Sequence, residues 1–207
     1  MILVIASIVS YLIGSIPTAY IFGKFYKGID IRQHGSGNVG ATNVFRVLGK
    51  EAGTIVLVLD ILKGLIAVTL VADLFGITEI IQRVILAVCV VSGHNWTIFL
   101  KFKGGKGIAT SLGVLIGLTI TIASIRPVVL LTVFVWGLTF LLSRYVSLSS
   151  VVASIFLPII MVTTNQPFEV ICLGIVFSIF IVVRHRPNIK RLLSGQEPRA
   201  KFSSKKK

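Results

Sequence analysis

The chain has 207 residues, 55% of them apolar, and a mean hydropathy of +0.95. Charged residues make up 14%, against about 25% in soluble domains, and 21 Lys and Arg against 7 Asp and Glu leave a net charge of +14. These figures exclude a soluble enzyme, a disordered chain and a coiled coil, and imply a small all-α polytopic membrane protein whose apolar surface is solvated by lipid.

Seven apolar runs follow in chain order, at about 2–23, 54–75, 80–100, 107–124, 127–143, 147–163 and 168–183. Each is long enough to cross a bilayer as a helix. Pro127 suits the first turn of a helix, so the fourth and fifth runs form a tight hairpin. With the N-terminus outside, the connections on the inner side hold Lys24, Lys27, Arg32, Arg46 and Lys50, then Lys101, Lys103 and Lys106, then Arg144, then nine basic residues after Val183. That leaves Arg83 and Arg126 at outer ends and Lys63 within a span. Basic residues collect on the cytoplasmic side, so an odd number of spans places the C-terminus there. The expectation is a single transmembrane catalytic domain, 1–183, followed by a basic tail, 184–207, whose first residues belong to the site. The end of the tail, Lys205-Lys206-Lys207, reads as attraction to anionic lipid. Cys89 and Cys172 stand alone in apolar runs and read as small core residues. Residues 40–49, within the long inner connection, read as a short interfacial helix.

Polar groups gather on the inner side, in three segments. The first, Gly35-Ser-Gly-Asn-Val-Gly40, matches G-x-G-x-x-G, but no strand precedes it, so a dinucleotide fold does not follow. Closely spaced glycines still let amides approach a phosphate. Gly35, Gly37 and Gly40, with Asn38, Thr42 and Asn43, are candidate phosphate binders, and Ser36 adds a hydroxyl. Arg46 adds a planar fork suited to a phosphate. The second segment holds Gly104-Gly105-Lys106, which is not a nucleotide-binding loop because no Ser or Thr follows the lysine. It offers two amides beside a cation. The third sets His185 and Asn188 three apart, as base, acid or phosphate donors. Four polar residues within spans, Asp60, Lys63, His94 and Asn95, read as supporting groups, and Asp60 and Lys63 share a helix face. Acids are few on this side, which argues against a carboxylate metal cage and for substrates that bring their own negative charge. No metal and no nucleic-acid partner is expected.

These segments resemble a known family. Gly-Ser-Gly-Asn-x-Gly-Ala-Thr-Asn-x-x-Arg at 35–46, Gly-His-Asn-x-x-x-Phe-x-x-Phe-x-Gly-Gly-Lys-Gly at 93–107 and His-x-x-Asn-Ile-x-Arg-Leu-Leu-x-Gly at 185–195 are similar to the acyl-phosphate:glycerol-3-phosphate acyltransferases of the PlsY type. The stretch from Arg144 to Ser150 also fits. The His-x-x-x-x-Asp signature of acyl-thioester-using acyltransferases is absent after His34, His94 and His185. The resemblance implies seven helices in a bacterial inner membrane, no cofactor, and transfer of an acyl group from acyl phosphate to the sn-1 hydroxyl of glycerol-3-phosphate. The products are lysophosphatidic acid and phosphate, in the first acylation of phospholipid synthesis. It points to Ser36, Arg46, Lys106, His185 and Asn188 at the reacting centre, with Ser147 and the glycines 104 and 105 on phosphate. Membrane lipid and the enzyme supplying acyl phosphate are the further implied partners. A small multi-spanning anion or phosphate transporter is the alternative, but transporters show internal repeats and a midplane site, whereas these polar groups sit at one edge.

Overall fold

A computed structural model describes residues 1–200, and Lys205-Lys206-Lys207 fall outside the described residues. All regular secondary structure among the described residues is helical, as the hydropathy pattern implies. Helices α1 (Ile2–Ser15) and α2 (Thr18–Lys27) are separated at Ile16-Pro17, because Pro17 has no N–H to continue the ladder. The short α3 (Ala41–Val47) lies within the expected 40–49 segment. Next come α4 (Lys50–Ile66), a π-turn at Ala67–Val71 and α5 (Ala72–Leu74), which run on as one rod. Arg83 supports that turn: its guanidinium donates to the Val68 carbonyl at 2.6 Å and pairs with Asp73 at 2.6 Å. A π-turn leaves carbonyls without their regular partners, so this charge satisfies one of them.

After α6 (Ile80–Asn95) come α7 (Ile108–Thr121), α8 (Arg126–Ser143), α9 (Val146–Thr163), α10 (Phe168–Arg184) and α11 (Arg186–Leu193). Pro127 stands in the first turn of α8, and the link from α7 is a single 3-10 turn, Ala123–Ile125, the tight hairpin read from sequence. Pro187 plays the same part in α11, which leaves α10 at a bend of 60°. A proline ring blocks straight continuation of the preceding turn, so the polypeptide redirects at His185.

Two helix pairs pack backbone to backbone: α1 lies along α6, and α4 along α7. Reciprocal glycines permit it. Gly14 rests on the Val90 carbonyl and Gly93 on that of Tyr11; Gly64 rests on Thr110 and Gly113 on Ile61. Small residues allow such approach where lipid supplies no hydrophobic drive between helices. The main apolar core, including Leu118, Met161 and Phe177, joins α6, α7, α9 and α10, while α8 packs on α9 and fully buries only Val128.

Five helical rods, Ile2–Lys27, Lys50–Leu74, Ile80–Leu100, Ala123–Ser143 and Val146–Thr163, are long and apolar enough to cross a membrane, and the bent pair of α10 and α11 makes six. The expected seventh crossing corresponds to the run 107–124. There α7 has 14 residues, rising about 21 Å against a hydrocarbon core of about 30 Å.

Candidate active site

The first inner segment is a loop shaped by one buried side chain. Asn43 accepts the Ser36 N–H at 2.8 Å and donates to the carbonyls of Ile31 at 3.2 Å and His34 at 3.0 Å. A side chain at Gly35 would collide with the Asn43 amide, and Gly35 has a φ of +62° besides, so glycine is required there. Asn43 therefore spends its hydrogen-bonding capacity on the loop, which revises the expectation that it binds phosphate. Ser36, Thr42 and Arg46 are exposed, with Asn38 half-buried.

The second segment is clamped from both sides. Gly104 N–H donates to the Asn95 carbonyl at 3.1 Å and Gly105 N–H to that of His94 at 2.9 Å. Their own carbonyls accept from Arg184, at 2.7 Å for Gly104 and 2.9 Å for Gly105. The expectation of free phosphate-binding amides at Gly104 and Gly105 is thus corrected: neighbouring carbonyls already hold them. Absence of side chains serves packing instead, since a methyl group on Gly104 would strike the His94 carbonyl and one on Gly105 its ring.

Behind this clamp lies a buried polar group. Asp60 accepts from Thr18 Oγ1 at 2.6 Å and Lys63 Nζ at 2.9 Å, and His94 Nδ1 stands 3.7 Å away. Lys63 also donates to the Ile16 carbonyl, at the break between α1 and α2. Buried charge inside a membrane persists only when paired, and here the pair locks α2, α4 and α6 beneath the diglycine. Asp60, Lys63 and His94, which the sequence reading takes as supporting groups, stand together behind the diglycine. Both polar atoms of the fully buried Asn95 side chain have no protein partner, beside Gly107.

In front of the clamp, residues far apart in the chain converge. Lys106 Nζ donates to Asn188 Oδ1 at 2.5 Å, and Asn188 Nδ2 donates to Glu197 Oε1 at 2.7 Å. The same oxygen accepts the Ser147 hydroxyl at 2.8 Å, and Glu197 Oε2 accepts from Arg191 Nε at 2.8 Å. Three donors hold the Glu197 carboxyl below its ordinary range despite the opposing effect of burial, which is the largest single influence. Burial pushes the Lys106 ammonium down to about 8, and the positive fields of Arg191, Arg46 and Arg184 reinforce that against Glu197.

His185 is buried at the bend beyond α10. Its Nδ1 lies 2.8 Å from the Ile181 carbonyl; a carbonyl only accepts, so Nδ1 carries the proton and Nε2 the lone pair. Burial, then the charge of Lys106, push its pKa down to about 4. The ring is therefore neutral at physiological pH and a weak base.

Sequence reasoning named Lys106, His185, Asn188 and Ser147, and the fold brings them together. Ser36 and Arg46 make no direct contact with them, although the charge of Arg46 is felt at Lys106. Glu197, Arg184 and Arg191 were missed. One signal was available for Glu197: it is the lone acid among nine basic residues in 184–207. The tail also folds back past its first residues, as Ala200 N–H donates to the Arg144 carbonyl at 2.9 Å.

A family model described as glycerol-3-phosphate acyltransferase matches residues 4–195. Glycerol-3-phosphate acyltransferase 2 of Moorella thermoacetica is 43% identical over 93% of this chain and 95% of its own. The glycerol-3-phosphate acyltransferase of Desulforamulus reducens is 46% identical, over 91% and 90% respectively. Among solved structures, the integral membrane glycerol 3-phosphate acyltransferase PlsY in its glycerol 3-phosphate form superposes with a TM-score of 0.86 at 41% identity, covering 96% of each chain. Its lysophosphatidic acid form gives 0.83 at 41% identity, over 96% and 95%.

Proposed function

The chain belongs to the glycerol-3-phosphate acyltransferase family, and from that premise we propose that it acylates the sn-1 hydroxyl of glycerol-3-phosphate using acyl phosphate. The observation that carries the reading is the joining of Lys106 to Asn188, Glu197 and Ser147, with Arg46, Arg184 and Arg191 adding positive field. Such a site attracts phosphates. That crystal structures of the relative PlsY are described as glycerol 3-phosphate and lysophosphatidic acid forms supports the same acceptor and product here.

An acyl phosphate is a mixed anhydride with a good leaving group. The sn-1 oxygen attacks the acyl carbon, the bond from that carbon to the bridging phosphate oxygen breaks, and phosphate departs. Holding the two phosphates in register supplies much of the rate. Lys106, Arg46 and Ser36 are assigned to phosphate, with Asn188 aiming Lys106. His185, neutral with its lone pair at Nε2, accepts a hydrogen bond from the acceptor substrate and orients it. A group with a pKa of about 4 is a poor general base near neutrality, so the proton passes to the departing phosphate. The polar face is assigned to the cytoplasmic side of a bacterial inner membrane, because the basic residues concentrate there.

Purified protein supplied with palmitoyl phosphate and glycerol-3-phosphate should release phosphate and form lysophosphatidic acid, and should ignore palmitoyl-CoA. Equal turnover with the thioester would remove the acyl-phosphate assignment.

A further inference from the structure

Between Asn95 and Gly104 the chain leaves the bundle and returns on itself, closed by the Gly104 and Gly105 hydrogen bonds to Asn95 and His94. Thr97 organises this excursion. Its carbonyl accepts from Leu100 N–H at 3.2 Å and Phe102 N–H at 2.8 Å, its hydroxyl accepts from Phe99 N–H at 3.3 Å, and that hydroxyl donates to the Ser15 carbonyl at 2.5 Å. Leu100 is buried in the same apolar cluster as Ile31, Val39 and Val44, beside the Ser36 loop.

This leaves Ile98, Phe99 and Phe102 exposed at 50%, 59% and 58%, with Lys101 and Lys103 exposed among them. Lys101 and Phe102 both adopt positive φ, at +54° and +60°. That backbone is unfavourable for a residue with a side chain, and for a bulky one it is a genuine outlier. Two in succession persist because the Thr97 bonds and the buried Leu100 hold them. No carboxylate among the described residues pairs with either exposed ammonium.

We propose that residues 98–103 form the docking surface for the acyl donor, a long-chain acyl phosphate arriving from the lipid. The inference rests on the function proposed above. An acyl phosphate is an anionic amphiphile, and this surface matches both its parts: phenylalanine rings for the chain, and Lys101 and Lys103 for the phosphate. Lys106 follows three residues after Lys103, within about 10 Å of extended chain, so a phosphate gathered by the surface has a short path to the site. Adsorption to bulk lipid needs only a slack basic and aromatic stretch. The fixed, strained backbone instead suits contact with one molecule.

The test uses purified protein in phosphatidylcholine nanodiscs with and without phosphatidylglycerol. Binding of hexadecyl phosphate, an unreactive amphiphile, is measured beside turnover of palmitoyl phosphate. F99S/F102S and K101Q/K103Q should each raise the Kd for hexadecyl phosphate and the KM for palmitoyl phosphate about tenfold, equally in both discs, with kcat and the KM for glycerol-3-phosphate within twofold. Phe102→Gly removes the ring while relieving the positive φ. It should keep or raise the melting temperature and still weaken hexadecyl phosphate binding, which separates docking from folding. Unchanged Kd and KM in these variants would overturn the proposal, and so would a defect confined to discs containing phosphatidylglycerol, which would assign the surface to bulk lipid. Hexadecyl phosphate binding is read without turnover, so a wild-type protein that binds it but does not use acyl phosphate would sink the functional reading and not the docking surface.

Discussion

Lys106 and Asn188 lie 82 positions apart in the chain and meet in a 2.5 Å hydrogen bond, Nζ donating to Oδ1. Asn188 is fixed in turn by Glu197, so the direction of the lysine is set from the C-terminal segment. Asn188→Leu should leave Lys106 and Glu197 without a shared partner and lower kcat/KM at least tenfold, since orphaning a partly buried charged group costs about 1–3 kcal/mol. Steady-state kinetics with folding checked by size exclusion decides it.

The same lysine gives a pH dependence. Burial lowers its pKa to about 8, so the ammonium is charged below that value and neutral above it. If the charge holds a phosphate, kcat/KM falls as pH rises through 8. Lys106→Arg remains charged, and its profile should stay flat to pH 9.5 at a lower absolute rate. A wild-type rate that does not change between pH 7 and 9.5 would show that the charge is not required.

His185 makes the opposite statement. With its pKa pushed down to about 4, it does not titrate in the neutral range. His185→Gln should retain a measurable fraction of kcat, and wild type and variant should share one pH profile between 5.5 and 7. Turnover abolished by the substitution, together with a wild-type ionisation near the ordinary His value of about 6.5, would make His185 the base.

Arg46 is exposed, and its charge is felt at Lys106. Arg46→Lys keeps the charge and loses the planar fork. If Arg46 grips a substrate phosphate with both nitrogens, the exchange costs roughly 1.5–3 kcal/mol, more than tenfold in kcat/KM. Kinetics close to wild type would return Arg46 to a topological role.

Gly64 and Gly113 test the packing. Each rests on a carbonyl of the facing helix, so Gly64→Val should destabilise by about 1–3 kcal/mol through overpacking, lowering the melting temperature in detergent. Gly137 faces open space, and Gly137→Ala should leave the melting temperature unchanged or slightly higher.

Much of this protein was legible in one dimension because the signals are local. Hydropathy marks lipid-solvated helices without reference to neighbours, and Pro127 announces its own helix start. The three polar inner segments stand out from an apolar background, and their family resemblance agrees with the match over residues 4–195. Of the candidate residues, Arg46 and Ser36 stand exposed, as polar residues of a surface loop do.

What the tertiary structure decided is where each hydrogen bond goes. A glycine amide reads as free in the sequence, but at Gly104 and Gly105 the carbonyls of His94 and Asn95 take it, and only the approach of α6 puts them there. Asn43 reads as a phosphate donor until the folded loop brings three partners to it. Glu197 reads as part of a solvated basic tail, yet the bend at His185 turns α11 so that this carboxylate meets Ser147, Asn188 and Arg191. A polar group must be satisfied once it is buried, and its partner can come from any distance along the chain, so residue type announces the need for a partner and only the fold supplies one.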